Sequence, residues 1–159
     1  MSPPGHRTPW SGDGEARHLF ALVQAACAAG DDLPTRLEAG LRTVLETLAA
    51  DPELAYRLTV APYLGADDEA LDAQREWIAR FGALLREAAA GDPRASTEPS
   101  FLAPFLVGGV RFLIARLVIK GEGSDLLRLL PGTLETLLAY YFEPGEPRPL
   151  ARVALGGHD

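Results

Sequence analysis

SFLAPFLVGGVRFLIARLVIK, residues 100–120, decides how this chain must be read. Stepped at 100° per residue, it lays Phe101, Phe105, Phe112 and Ile119 on one stripe and Leu102, Leu106, Val110, Leu113 and Leu117 on another. A helix with an aromatic face and an aliphatic face keeps no broad polar side for water. Arg111 near its middle and Arg116 would each cost roughly 2.5 to 3.5 kcal/mol at a bilayer centre, so the stretch reads as a buried helix of a soluble domain. Gly108 and Gly109 fall mid-helix and cost about 1 kcal/mol each relative to Ala. Close approach by a neighbouring helix or a ligand would offset that cost; a helix irregularity with no partner is the alternative.

Outward from this stretch, the punctuation divides the chain into helices. Breaks fall at Gly30-Asp31-Asp32, Asp51-Pro52-Glu53, Pro62 to Gly65, Gly91-Asp92-Pro93 and Gly121 to Asp125. Asp51 reads as an N-cap, because Pro52 loses no helical hydrogen bond in a first turn and the acids favour the positive helix end. Between the breaks the period is helical: Leu33, Leu37, Leu41, Val44, Leu45 and Leu48 share one arc, and Leu71, Trp77, Ile78, Phe81, Leu84, Leu85 and Ala88 another. Leu19, Phe20, Val23, Ala26 and Cys27 give a shorter stripe, and Leu54, Leu58 and Ala61 a very short one. No strand-length alternation and no repeat interrupts the pattern. The expectation is an all-α domain of six helices over residues 15–145, between a Pro/Gly-rich tail at 1–14 and a C-terminal tail at 146–159.

The last helix, about Asp125 to Phe142, has too much apolar surface as well, with Leu126, Leu127, Leu129, Leu130, Leu134, Leu137, Leu138, Tyr140, Tyr141 and Phe142 over more than half its wheel. Pro131 predicts a kink, or a short first turn followed by a fresh start. A small helical domain has one core, so two adjacent helices that are apolar on two sides predict a second burial surface, most simply in a homodimer.

Composition narrows the function classes. Fifteen Lys and Arg against 22 Asp and Glu give a formal net charge of −7, which gains little from a phosphate backbone. The single Cys27 forms no internal disulfide, three scattered histidines make a poor metal set, and no basic start precedes an apolar run as in a secretory signal. Asp67-Asp68-Glu69 reads as the acidic opening of a helix, without the further oxygens calcium would need. No G-x-S-x-G, phosphate loop, HExxH or GxGxxG occurs, so no enzyme, cofactor or metal is expected, and the cytoplasm is the expected location.

Four segments in order, Leu48 to Ala55 (LAADPELA), Gln74 to Glu87 (QREWIARFGALLRE), Val107-Gly108-Gly109-Val110 running into Lys120-Gly121-Glu122, and Leu129-Leu130-Pro131 leading to Tyr140-Tyr141-Phe142, resemble the C-terminal ligand-binding and dimerisation domain of the TetR/AcrR family of bacterial transcription regulators. The resemblance covers roughly residues 15 to 145. It implies an orthogonal bundle of the tetracycline-repressor C-terminal type, whose last two helices form a four-helix bundle with a partner subunit, and a small-molecule pocket beneath them. Family members begin with a basic three-helix head carrying a helix-turn-helix; Pro3 to Gly14 stands in its place here. Direct nucleic-acid binding by this polypeptide is therefore not expected, and no membrane association is either.

Pockets in helical domains form between helices and are lined by aromatics with a few orienting polar groups. Tyr56, Trp77, Phe81, Phe105 and Phe112 are the candidate ligand-binding residues, each also ordinary core filling when taken alone. Leu106, Val110, Leu113, Leu117, Leu130, Leu134, Leu137 and Tyr141 are the candidate dimer contacts. Arg111 and Arg116, about 140° apart, would pair with Glu135 at a dimer rim or with an acidic ligand. His18 is expected in solvent and Cys27 in the core. The resulting expectation is an effector-sensing, dimerising domain for a small apolar or amphipathic ligand; the alternative is an interaction module that pairs with a full-length regulator or another helical partner and binds no small molecule.

Overall fold

The computed structural model describes residues 12–65, 67–96 and 101–142. Among these there are seven α-helices, one 3₁₀ segment and no strand: α1 (Gly12–Ala28), α2 (Leu33–Ala50), α3 (Pro52–Thr59), α4 (Ala61–Leu64), α5 (Asp68–Ala90), α6 (Leu102–Ile119), the 3₁₀ segment Gly123–Leu129 and α7 (Leu130–Tyr141). The chain is all-α, as its periodicity predicts. The helix count differs from six because the expected break at Pro62 closes one turn of its own, α4. Helix α1 opens at Gly12, inside the stretch read as tail, and the expected 146–159 tail lies outside the described residues.

Local chemistry explains the boundaries. The Asp32 carboxylate accepts from Thr35 N–H at 2.9 Å, and the Thr35 hydroxyl accepts from Asp32 N–H at 3.2 Å, closing a capping box at the start of α2. Asp51 ends α2 and caps α3, accepting from Leu54 N–H at 3.0 Å. Asp67 does the same for α5 through Ala70 N–H at 2.9 Å, so the acidic run is a helix start. Gly121, at φ 76°, stops α6: its N–H reaches Val118 O at 3.0 Å and Glu122 N–H reaches Leu117 O at 2.9 Å, the two bonds of a Schellman ending. Pro131 falls in the first turn of α7, where no bond is lost, and the chain before it takes the 3₁₀ path, the fresh start its position predicts.

Helix α2 is central, packing against α1, α3, α5, α7 and the 3₁₀ segment. Its face of Leu33, Leu37, Val44, Leu45 and Leu48 is buried, as the wheel predicts. Gly40 on that face lets α1 come close: a Cβ there would lie 2.7 Å from Cys27 Sγ. At the start of α2, Asp92 accepts from Leu33 N–H at 2.9 Å and from Arg94 N–H at 3.0 Å, while Arg36 donates to Gly30 O at 3.0 Å and Ala88 O at 3.3 Å. These bonds tie the end of α5 to the start of α2. The core has two clusters: one gathers Leu37, Leu85, Leu102, Leu106, Leu134 and Leu138, the other Leu19, Val23, Leu45, Leu58, Trp77 and Ile114. Leu41 and Val107 pack against both.

Candidate functional site

Where the two clusters meet, packing leaves a cavity with about 90 Å³ of space for the centres of water-sized molecules. Val23 and Cys27 of α1, Gly40 and Val44 of α2, Trp77, Phe81 and Leu85 of α5, Val107, Val110 and Ile114 of α6 and Leu137 of α7 line it, with the bridging Leu41. Trp77 and Phe81 stand one helical turn apart with ring centroids 4.7 Å apart, and the Phe81 ring meets Phe20 of α1 edge-on at 5.3 Å. Burial raises the Cys27 thiol pKa above its ordinary value against the opposing charge of Arg36, and its Sγ donates to Arg36 O at 3.4 Å, so it behaves as a small apolar wall.

The lining carries one charge. Arg111 is 2% exposed, among the most completely buried large side chains of the protein. One terminal nitrogen, Nη2, donates to Leu58 O at the end of α3 at 3.0 Å; the guanidinium carbon lies 5.0 Å from the Tyr63 ring centroid and 5.4 Å from that of Trp77. Its Nε and Nη1 are buried with no hydrogen-bond partner. Burial pulls its pKa below the ordinary value, with Tyr63 opposing, yet a guanidinium does not lose its proton in a protein. The rim pairing expected of Arg111 with Glu135 is thus corrected, since Arg111 is interior; Arg116 and Glu135 are both exposed. Sequence held one signal for this. The positions three and four residues away on the helix, Val107, Gly108, Ile114 and Ala115, offer no acid to pair with.

The candidate ligand and dimer residues of α6 lie on opposite faces, and the protomer covers one of them. The aliphatic stripe turns inward: Leu106 and Leu117 are buried, as are Leu130, Leu134, Leu137 and Tyr141, all six placed in advance at a dimer contact. The aromatic stripe turns outward, with Phe105 67% and Phe112 60% exposed, so neither reaches the cavity. Of the expected ligand residues, Trp77 and Phe81 line the cavity together; Tyr56 lies on the surface beside Pro52, Glu53 and Arg57. A periodic pattern reports that both faces are apolar and carries no sign for which is inside. The exposed Leu113 remains on the outward side, and the half-buried Val110 lies between the two faces.

Outside the cavity, between α6 and α7, runs a groove of about 620 Å³ lined by Phe105, Gly109, Phe112, Leu113, Gly132, Thr133 and Tyr140 among others. Leu106, Val110 and Leu137 line both spaces, so these three side chains form the wall between cavity and groove. Gly109 faces the groove, and a Cβ built there meets nothing within 4 Å; at Gly108 only Ile78 Cδ1 comes as near as 4.0 Å. Neither glycine is needed for packing among the described residues of the protomer. Helix α6 is also the one described helix long and apolar enough to cross a membrane by length and composition, with 39% of it buried against the rest of the fold. Compared with family models, curated proteins and solved structures, the chain matches none.

Proposed function

We propose that this chain is a binding domain, not an enzyme: an effector-sensing and dimerising domain of the tetracycline-repressor C-terminal kind. A small apolar or amphipathic molecule occupies the cavity beneath α6, and a second copy of the chain covers the groove face. The observation that carries this reading is the three-residue wall of Leu106, Val110 and Leu137, which puts an apolar cavity and an exposed apolar groove on opposite sides of the same side chains. Of the residues expected to bind ligand, Trp77 and Phe81 keep that role. Phe105 and Phe112 pass to the partner face with Leu113, Val110 and Tyr140.

Ligand in the cavity displaces the wall and biases how the two subunits pack, a shift between two arrangements of one interface. The exposed groove also favours a second reading, in which another helical protein covers it. Light scattering at tens of micromolar tests the first: a dimer is expected, and a monomer overturns self-association. A thermal-shift screen with small apolar compounds tests the pocket. Stabilisation by several degrees is expected from those that fit, and none from any compound overturns the sensor reading.

A further inference from the structure

We infer that the ligand is a compact apolar monocarboxylate, its carboxylate held by Arg111 and its hydrocarbon part by the cavity; the inference rests on the cavity being a ligand site. A guanidinium carries five N–H donors spread over its plane, each able to make a charge-assisted hydrogen bond to a carboxylate oxygen. In Arg111 one terminal nitrogen is used on Leu58 O, while Nε and Nη1 are buried and unpaired.

Among the described residues no carboxylate forms an ion pair with it, and burying an uncompensated cation costs several kcal/mol. Native proteins rarely leave such groups unmatched without a role for them. The Tyr63 and Trp77 rings lie against the guanidinium, and neither supplies an acceptor for Nε or Nη1. Apart from Arg111 the cavity lining offers only the Cys27 thiol and the Trp77 indole N–H as polar groups, so a ligand there is apolar apart from one anionic end.

A second opening reaches the same side chain. A small cleft between α1 and α5 shares Trp77, Phe81 and Arg111 with the cavity and is also bordered by Ala16, Phe20 and Ala73, so the guanidinium is reached from two sides. The room available sets the size. About 90 Å³ of space for water-sized centres is several times the roughly 10 to 15 Å³ that admits one water, which suits a compact acid of medium chain length or less.

The test uses the full chain and two matched series, the straight-chain acids from four to ten carbons as their sodium salts and the 1-alkanols of the same lengths, by titration calorimetry at pH 7.5. At the best chain length the acid is expected to bind at least tenfold tighter than the alcohol. Arg111→Met is expected to abolish that preference while holding the alcohol's affinity within about threefold. Equal binding of acid and alcohol to the unaltered chain overturns the carboxylate and leaves the pocket standing. Binding of neither series overturns the pocket and the inference with it. The comparison within the unaltered chain does not depend on the variant folding. Should Arg111→Met fold poorly, Arg111→Lys, which keeps the charge and loses Nε and Nη1, is expected to weaken the acid at least fivefold with the alcohol unchanged, and an unweakened acid overturns the hold by those nitrogens.

Discussion

Asp92 is 4% exposed, and its carboxylate has two duties: it takes the Leu33 N–H left over at the start of α2, and it pairs with Arg94 at 3.1 Å. Arg94 and these backbone donors hold its pKa down from the ordinary 3.8 to about 2. A carboxyl whose pKa is depressed in the fold stabilises it fully above the unfolded value and loses that contribution as pH falls through the folded value. About 2 kcal/mol should therefore disappear between roughly pH 4 and pH 2, and urea unfolding at pH 7 and pH 2.5 measures it. Asp92→Ala should remove about 1 to 3 kcal/mol at pH 7, since Leu33 N–H is left buried and unpaired, and should flatten that acid-dependent loss. A second residue-scale expectation concerns Gly40. The 2.7 Å approach to Cys27 Sγ leaves no room for a methyl, so Gly40→Ala should cost about 1 to 3 kcal/mol, and Cys27→Ala in the same chain should recover a good part of it. Equal losses in the single and double variants would place the strain elsewhere.

Among the helices, α6 departs furthest from a simple amphipathic element, and Gly109 makes its outward face testable. A Cβ meets nothing there within 4 Å, so Gly109→Ala should raise the thermal stability of dilute protein by about 1 kcal/mol equivalent, the helix-propensity gain. On the proposed dimer the same methyl holds the partner backbone away, so sedimentation equilibrium should show weaker association; unchanged association would remove Gly109 from the contact. The helices themselves were largely legible. Asp51 before Pro52, the five inward aliphatics of α2 and the turn after Lys120 each carry a local cause that acts within a few residues. Three things were not legible. Leu71 fits the stripe of α5 by angle but is 44% exposed, because what covers each turn of α5 is decided by distant segments of the chain. Which side of α6 faces inward depends on where α5 and α7 lie, a matter of tertiary geometry. Arg111 was read as a rim cation because Arg is usually at edges; its place between Tyr63 and Trp77 depends on residues some fifty positions and thirty positions distant in sequence.

At the scale of the whole molecule, the exposed aromatic stripe predicts how the protein associates. Phe112→Glu places a charge in the groove without touching the core, so the folded chain should keep its stability within about 0.5 kcal/mol while light scattering shows monomer. A dimer that persists would send the contact to another face. The wall of Leu106, Val110 and Leu137 has a further consequence, of a thermodynamic kind. Anything that moves those three side chains enters two equilibria at once, and linkage requires the coupling to be the same in both directions. If occupancy of the cavity tightens subunit pairing by some factor per bound molecule, pairing tightens occupancy by that same factor. The apparent ligand affinity is then a function of protein concentration, and a cell sets the sensitivity of such a sensor by how much of the chain it makes.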